Sequence, residues 1–202
     1  MFRNITLMLF FAVCLGACSS SPASPTEPTP TNPTPTEPAP TPPTEECIYE
    51  GTPVAGNLDI PSGQSCTVTN TTVAGNITLT SGSSLTLTNT AVEGNVQAQN
   101  AASLVVEAAQ IDGDIQSERA SGNLTIGSSE VGGNIQLEVN TGGLSVDSST
   151  IGGDLQVNQN SGDSLLSSNS VGGNLQCEGN DPAPLGSDNT VEGNKEGQCS
   201  AF

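Results

Sequence analysis

The sequence predicts an all-β fold: a single-stranded, right-handed parallel β-helix of about eight coils of 19–20 residues, preceded by a disordered Thr/Pro linker. Three observations predict it, namely a short internal repeat, alternating apolar residues within each repeat, and a shortage of aromatic residues. The 202 residues include 23 Gly, one Tyr and no Trp. The core must therefore be built from Val, Ile, Leu and Ala, which suits a narrow solenoid. Right-handed winding is the general rule for parallel connections.

The repeat consists of an apolar residue, a variable residue, Gly, Asn or Asp, and a second apolar residue. The first four copies start 19 residues apart, and the later copies start 20 apart. This period matches one coil of three short strands. We expect the Gly and the Asn or Asp after it to form a corner with positive φ, because both tolerate the left-handed region. The eight copies are Val54–Leu58, Val73–Ile77, Val92–Val96, Ile111–Ile115, Val131–Ile135, Ile151–Leu155, Val171–Leu175 and Val191–Lys195.

Stacked coils place equivalent side chains in columns, and period-2 alternation predicts which columns face inward. The inward columns are Leu58, Ile77, Val96, Ile115, Ile135, Leu155 and Leu175, and Leu85, Leu104, Leu124, Leu144 and Leu165. An outward column contains Thr78, Gln97, Gln116, Gln136, Gln156 and Gln176. The corner column contains Asn57, Asn76, Asn95, Asp114, Asn134, Asp154, Asn174 and Asn194. We expect the last two columns to be structural ladders whose amides hydrogen-bond along the stack.

Residues 1–17 are predicted to be a lipoprotein signal peptide. Arg3 precedes an apolar run that is too short to span a bilayer. The ending Leu15-Gly16-Ala17-Cys18 resembles the bacterial lipobox. That resemblance implies cleavage before Cys18, acylation of Cys18 and a lipid anchor in the cell envelope. With Ser19 next, it implies the bacterial outer membrane.

Two further segments follow the signal peptide. Residues 18–46 contain the anchored Cys18 and a Thr/Pro-rich stretch without apolar periodicity, so we expect a disordered tether. Residues 47–202 contain all eight repeats and are predicted to be the β-helix domain. The membrane, contacted through the lipid, is the one partner that the sequence predicts directly.

The cysteines outside the signal peptide predict two disulfides. With Cys18 acylated, four remain, an even number that suits an oxidising compartment. Cys47 and Cys66 are 19 residues apart, one coil, which stacks their Cα atoms at the strand spacing. Cys177 and Cys199 are 22 apart and lie in the last coil. We therefore predict the pairs Cys47–Cys66 and Cys177–Cys199 at the two ends of the solenoid, and no zinc site, because CxxC pairs and His are lacking.

The repeated corner and the closing segments Gly172–Cys177 and Asn194–Cys199 resemble a group of exported bacterial parallel β-helix repeat lipoproteins. The resemblance covers residues 47–202. It implies the same fold and disulfides and supplies no catalytic residues. The coils are also loosely similar to those of bactofilins, which are cytoskeletal β-helices that polymerise through their ends.

Charge and composition exclude several functions. The net charge is −18, and Arg3, Arg119 and Lys195 are the basic residues, so nucleic acid is not expected as a partner. The chain lacks His, which excludes Ser–His and Cys–His triads. A glycosidase needs a carboxylate pair across a cleft. The candidate carboxylates are Asp112, Asp114, Asp154 and Asp163. Because two of these occupy corner positions that are interchangeable with Asn, we predict that the protein is not an enzyme.

The sequence thus predicts a non-enzymatic cell-envelope lipoprotein with a structural or adhesive role, whose glycan or protein partner stays open. We expect no cofactor and a monomer, and self-association is the second possibility for the oligomeric state. The composition also leaves open a carbohydrate-active β-helix enzyme, calcium binding, which the acidic excess suggests, and ice binding. The threonines that suggest ice binding are Thr67, Thr69, Thr78, Thr80, Thr86 and Thr88.

Overall fold

The computed structural model describes residues 47–202, and this part of the chain is all-β without a helix. Its 23 strands, numbered β1–β23 in chain order, form three parallel sheets that stack as a β-solenoid of about eight turns. The predicted fold class is confirmed, while the handedness of winding stays a prediction. The signal peptide, Cys18 and the linker fall outside the described residues.

Sheet A has eight strands, each hydrogen-bonded to the equivalent strand one coil away. Its strands are β1 (Cys47–Glu50), β3 (Ser65–Thr69), β6 (Ser84–Thr88), β9 (Ser103–Glu107), β12 (Leu124–Gly127), β15 (Leu144–Asp147), β18 (Ser164–Ser167) and β21 (Leu185–Ser187).

Sheet B is narrow and includes the first apolar residue of seven motif copies. Its strands are β4 (Thr72–Val73), β7 (Ala91–Val92), β10 (Gln110–Ile111), β13 (Glu130–Val131), β16 (Thr150–Ile151), β19 (Ser170–Val171) and β22 (Thr190–Val191). Val54 extends it by a single parallel bridge to Val73.

Sheet C begins at the last residue of each motif and also has eight strands. Its strands are β2 (Leu58–Ile60), β5 (Ile77–Leu79), β8 (Val96–Gln99), β11 (Ile115–Glu118), β14 (Ile135–Glu138), β17 (Leu155–Asn158), β20 (Leu175–Glu178) and β23 (Lys195–Gly197).

The predicted first inward column is confirmed. Leu58 pairs with Ile77, Ile77 with Val96, and Val96 with Ile115 in consecutive parallel strands. All seven members of the column are buried. Each coil therefore buries the same side-chain position, and removal of this apolar surface from water is the main stabilising contribution.

The predicted second inward column is wrong at its last member, Leu165. Leu144 pairs with Ser164, and Ser164 is buried while Leu165 faces solvent. Leu166 is fully buried and pairs with Val146. Because neighbouring residues of a strand point to opposite faces, burying Leu166 turns Leu165 outward. The 20-residue register of the hydrogen-bonded strands thus overrides the preference of one leucine for the core.

The positive-φ prediction for the motif corner is also wrong. Among the motif glycines only Gly56 has a positive φ, of 111°, and none of the ladder Asn or Asp residues has one. The left-handed residues lie instead just after the strands of sheets A and C. After sheet A they are Asn70, Asn89, Ala108, Ser128, Ser148, Ser168 and Asp188, and after sheet C they are Asn100, Arg119, Val139 and Gln159.

The motif glycine is required for a different reason, which is the close approach of the preceding coil. A Cβ atom on Gly75 would lie 2.5 Å from Asn57 Oδ1 and 2.7 Å from the carbonyl carbon of Gly56. A Cβ atom on Gly94 would lie 2.6 Å from Asn76 Oδ1. Real Cβ atoms do not approach other atoms this closely, so only Gly fits above the ladder oxygen.

The ladder oxygen accepts a backbone hydrogen bond from the next coil. The backbone N–H of Asn76 donates to Asn57 Oδ1 at 2.9 Å, and that of Asn95 donates to Asn76 Oδ1 at 2.8 Å. The pattern continues without a gap to Asn194, which donates to Asn174 Oδ1 at 2.9 Å. Asn and Asp are interchangeable along this column because the corner needs an acceptor, which both side chains provide.

A second ladder, which is buried, runs from coil to coil in the interior and was not predicted from the sequence. Asn140, Asn160 and Asn180 are at most 5% exposed. The backbone N–H of Asn140 donates to Asn160 Oδ1 at 2.8 Å, and the Asn160 amide donates to the carbonyl of Leu137 at 2.9 Å. Gln198 ends the ladder by accepting from the backbone N–H of Asn180 at 2.9 Å. These amides satisfy backbone groups that would otherwise be buried without partners.

A disulfide lies at each end of the described solenoid. Cys47–Cys66 joins the first two strands of sheet A with a Cα–Cα distance of 4.5 Å, and Cys177–Cys199 joins the last coil to the C-terminus at 5.3 Å. Both disulfides are as predicted, and each closes a loop of about twenty residues, which stabilises a fold by about 3 kcal/mol in the chain-entropy view. Phe202 packs against the core beside Gly186.

Asn76 allows a test of the corner ladder, because both of its ladder neighbours are uncharged. Replacing Asn76 by Ala removes the acceptor for the N–H of Asn95 and should lower the free energy of unfolding by about 1 kcal/mol. Asn76→Asp keeps the acceptor and should match or exceed the unchanged chain at neutral pH. Urea unfolding measures both. Equal losses from the two substitutions would show that the oxygen is not what the corner needs.

Asn160→Asp tests the buried ladder through the pH dependence of stability. An ionised carboxylate at this position would be buried and would place an oxygen against the carbonyl oxygen of Leu137. Both effects disfavour the charged form, so the folded-state pKa of the introduced carboxyl is raised. The folded state then binds more protons, and stability relative to the unchanged chain falls as pH rises above about 4. Asn76→Asp is the control, because its carboxylate would accept the N–H of Asn95 as Asn76 does, and its stability should not fall as pH rises. Urea midpoints across pH measure both variants, and a midpoint of Asn160→Asp that does not fall with rising pH would contradict this assignment.

Candidate functional site

The outward side chains of sheet C form a hydrogen-bonded glutamine ladder. Gln116 Nε2 donates to Gln136 Oε1 at 3.1 Å, and Gln136 donates to Gln156 at 3.2 Å. Gln97 donates to Gln116 at 3.5 Å, while Gln156 donates to Gln176 at 3.1 Å. The predicted Gln ladder is confirmed. Gln116, Gln136 and Gln156 each use one N–H and one acceptor site in the ladder and keep a second of each.

This ladder forms the floor of a groove, which we call the sheet C groove. It encloses about 470 Å³ and crosses four coils. Its polar lining residues are Thr78, Thr80, Ser81, Gln97, Gln99, Asn100, Gln116, Ser117, Glu118, Gln136 and Glu138. Amides and hydroxyls outnumber carboxylates among these residues, and the ladder holds the glutamines in place before a ligand arrives, which reduces the entropy cost of binding.

Two carboxylates lie along one side of the groove. Glu118 and Glu138 are directly opposite each other on β11 and β14, an arrangement that is unfavourable for like charges. Arg119 forms an ion pair with Glu118. The same column has uncharged members in the coils on either side, Gln99 and Asn158. The fold therefore does not require carboxylates here.

The structure does not bring the candidate catalytic carboxylates together. Asp114 and Asp154 belong to the corner ladder and accept backbone N–H groups at 2.7 Å. Asp112 directly follows β10 of sheet B and accepts a hydrogen bond from Gln110 Nε2 at 3.3 Å. Asp163 precedes β18 of sheet A. Within residues 47–202, no three Cys, Asp or Glu side chains are arranged to hold a metal ion.

The threonines that suggested ice binding are divided between two sheets. Thr67 pairs with Thr86, and Thr69 with Thr88, on sheet A. Thr78 belongs to β5 of sheet C, and Thr80 follows that strand. The threonine array on one face is thus two coils deep before Val105 and Glu107 replace it.

One carboxyl that was not singled out from the sequence has a shifted pKa. Hydrogen bonds from the Ser167 hydroxyl, at 2.5 Å, and then from Ser148, at 2.9 Å, lower the pKa of Asp147 below its usual value. Asp147 lies on sheet A, and the sheet C groove is built from other strands. Ser148 follows β15 and Ser167 is the last residue of β18, so both serines belong to the coil connections of sheet A.

The part of the chain that the structure describes contains no helix long and apolar enough to cross a membrane. Comparison of the whole chain with family models, curated proteins and solved structures finds no match.

Proposed function

We propose that this chain is a non-enzymatic lipoprotein of the cell envelope that presents a rigid β-helix as an adhesive, ligand-binding surface. The observation that carries the proposal is the sheet C groove, whose amides are fixed by the Gln116–Gln136 ladder and still have unused donors and acceptors. Disulfides at both ends favour an oxidising compartment outside the cytoplasm. The lipobox at Cys18 and the Pro-rich tether supply attachment and reach.

The groove suits a polar chain such as a glycan. The groove crosses four coils, so an extended polymer lying along the stack would meet equivalent glutamines in consecutive coils. The amide and carboxylate side chains match the hydroxyl groups of sugars as hydrogen-bond partners. Tyr49 and Phe202 pack against the core, so recognition would rely on hydrogen bonds.

Membrane attachment can be tested at Cys18. Cys18→Ala should abolish incorporation of a labelled fatty acid and move the protein from the membrane to the soluble fraction, because no acylation site remains. Cys14→Ala, which falls in the predicted signal peptide, is the matched control and should keep the label. Persistent labelling of Cys18→Ala would contradict the proposed anchor.

Ligand binding by the groove can be tested with Gln116→Ala. We expect the intact chain to bind members of a glycan array and Gln116→Ala to lose about fivefold in affinity, the equivalent of about one hydrogen bond. Gln110→Ala, an exposed glutamine on sheet B, is the control and should bind normally. Absence of any glycan binding, or equal affinity of the two variants, would rule out a glycan site in this groove.

A further inference from the structure

The outer face of sheet A has one column in which no coil contributes a charged residue. We call it the sheet A column, and parallel pairing places its eight members in register. They are Ile48, Thr67, Thr86, Val105, Thr125, Ser145, Leu165 and Leu185.

The exposed large hydrophobic residues are concentrated in this column. The structure describes four such residues, and three belong to it: Ile48 at 57%, Leu165 at 46% and Leu185 at 71% exposure. Leu165 and Leu185 are direct partners on neighbouring strands, so their side chains form one patch. Isolated exposed leucines are ordinary, but apolar residues aligned on an open sheet face indicate a contact surface.

Charged residues occupy outward positions beside this column and on the other two sheets. Sheet A has Glu50, Glu107 and Asp147, sheet B has Glu130, and sheet C includes Glu118 and Glu138. In a chain with a net charge of −18, a second acidic molecule of the same kind can approach along the uncharged column with these carboxylates offset to either side.

We propose that the sheet A column is a dimerisation surface that binds a second copy of this chain, with a two-fold axis running along the column. Such an axis places each member of the column against its own counterpart. Leu165 then meets Leu165 and Leu185 meets Leu185, so apolar groups cover apolar groups and hydroxyl groups meet hydroxyl groups.

The acidic residues beside the middle of the column are compatible with this arrangement. Glu107 and Asp147 are the last residues of β9 and β15, and Asp163 precedes β18. Each lies two residues from a column member, and the two-fold axis brings each one opposite an uncharged residue of the other copy. The facing pairs are Glu107 with Ser103, Asp147 with Gly143, and Asp163 with Ser167. Like-charge contacts are thereby avoided along the middle of the interface.

The size of the face predicts a weak dimer. Eight strands of three to five residues at a spacing of about 4.8 Å bury about 1,200 Å² in total, the lower limit for specific interfaces. Two acidic bodies also repel each other, and salt screens this repulsion. Dimerisation should therefore strengthen as salt rises, whereas a contact held by opposite charges would weaken.

Sedimentation equilibrium of the full chain in a density-matched non-ionic detergent tests the proposal. We expect a concentration-dependent dimer whose dissociation constant falls between about 0.01 M and about 1 M NaCl, where the Debye length shrinks from about 30 Å to about 3 Å. Leu185→Glu should raise the dissociation constant at least about tenfold, because each glutamate faces its own copy. Val139→Glu is the matched control, since Val139 is the fourth exposed apolar residue, at 39%, and lies outside the column; it should have no such effect.

Cross-linking tests the axis. Leu185→Cys should form a covalent dimer with a bis-maleimide cross-linker that spans about 10 Å, the spacing of sheets packed face to face, and Val139→Cys should not. A monomer at all salt concentrations, or a dimer unaffected by Leu185→Glu, would overturn the proposal. A dimer in which Leu185→Cys cross-links to Ile48→Cys but not to itself would overturn the two-fold axis along the column.

Discussion

From the second motif corner onward, a backbone N–H of each coil donates to a side-chain oxygen of the coil before it. The oxygen of Asn57 accepts the N–H of Asn76 at 2.9 Å and occupies the space where a Cβ atom on Gly75 would lie. Gly and Asn therefore act as one unit across two coils, since Asn supplies the acceptor and the next Gly leaves room for it. Repetition of this contact fixes the offset between coils. Once the offset is fixed, the apolar columns stack inside and the glutamines stack outside.

The fold was predictable because its strongest signals are periodic. Spacing alone predicted the column from Leu58 to Leu175, the glutamine ladder and the Cys47–Cys66 pair, since each depends only on coils being in register. The sequence Ser164-Leu165-Leu166 allowed two alternations, and the pairing of β18 with β15 was needed to choose between them. The left-handed corners escaped prediction because no residue type recurs in them: some contain Asn, as at Asn70, but others contain residues with no preference for positive φ, such as Ala108 and Val139.

The buried asparagines were missed because their environment depends on the coil below. In earlier coils the same column contains Ala101 and Ala120, which are small and apolar. Asn140 and Asn160 resemble polar loop residues in the sequence. Inside the solenoid, however, these side-chain amides hydrogen-bond to backbone groups of neighbouring coils, as Asn160 does to the N–H of Asn140 and the carbonyl of Leu137. Their acceptors point toward the preceding coil, whereas the corner ladder accepts from the following coil. In the later coils the two ladders thus hold a coil from both sides, and a one-residue slip would break both.

With the interior and corners constrained in this way, only the outward columns can differ between sheets without altering the fold. In sheet C the outward columns contain amides and the neighbouring residues Glu118 and Glu138, a pair that does not contribute to the glutamine ladder. Sheet A has an uncharged column that ends in Leu165 and Leu185. Because these surfaces belong to different sheets, pairing through sheet A would leave the sheet C grooves of both copies open. Two tethered grooves on one dimer would bind a long polymer with higher avidity than a single weak site provides.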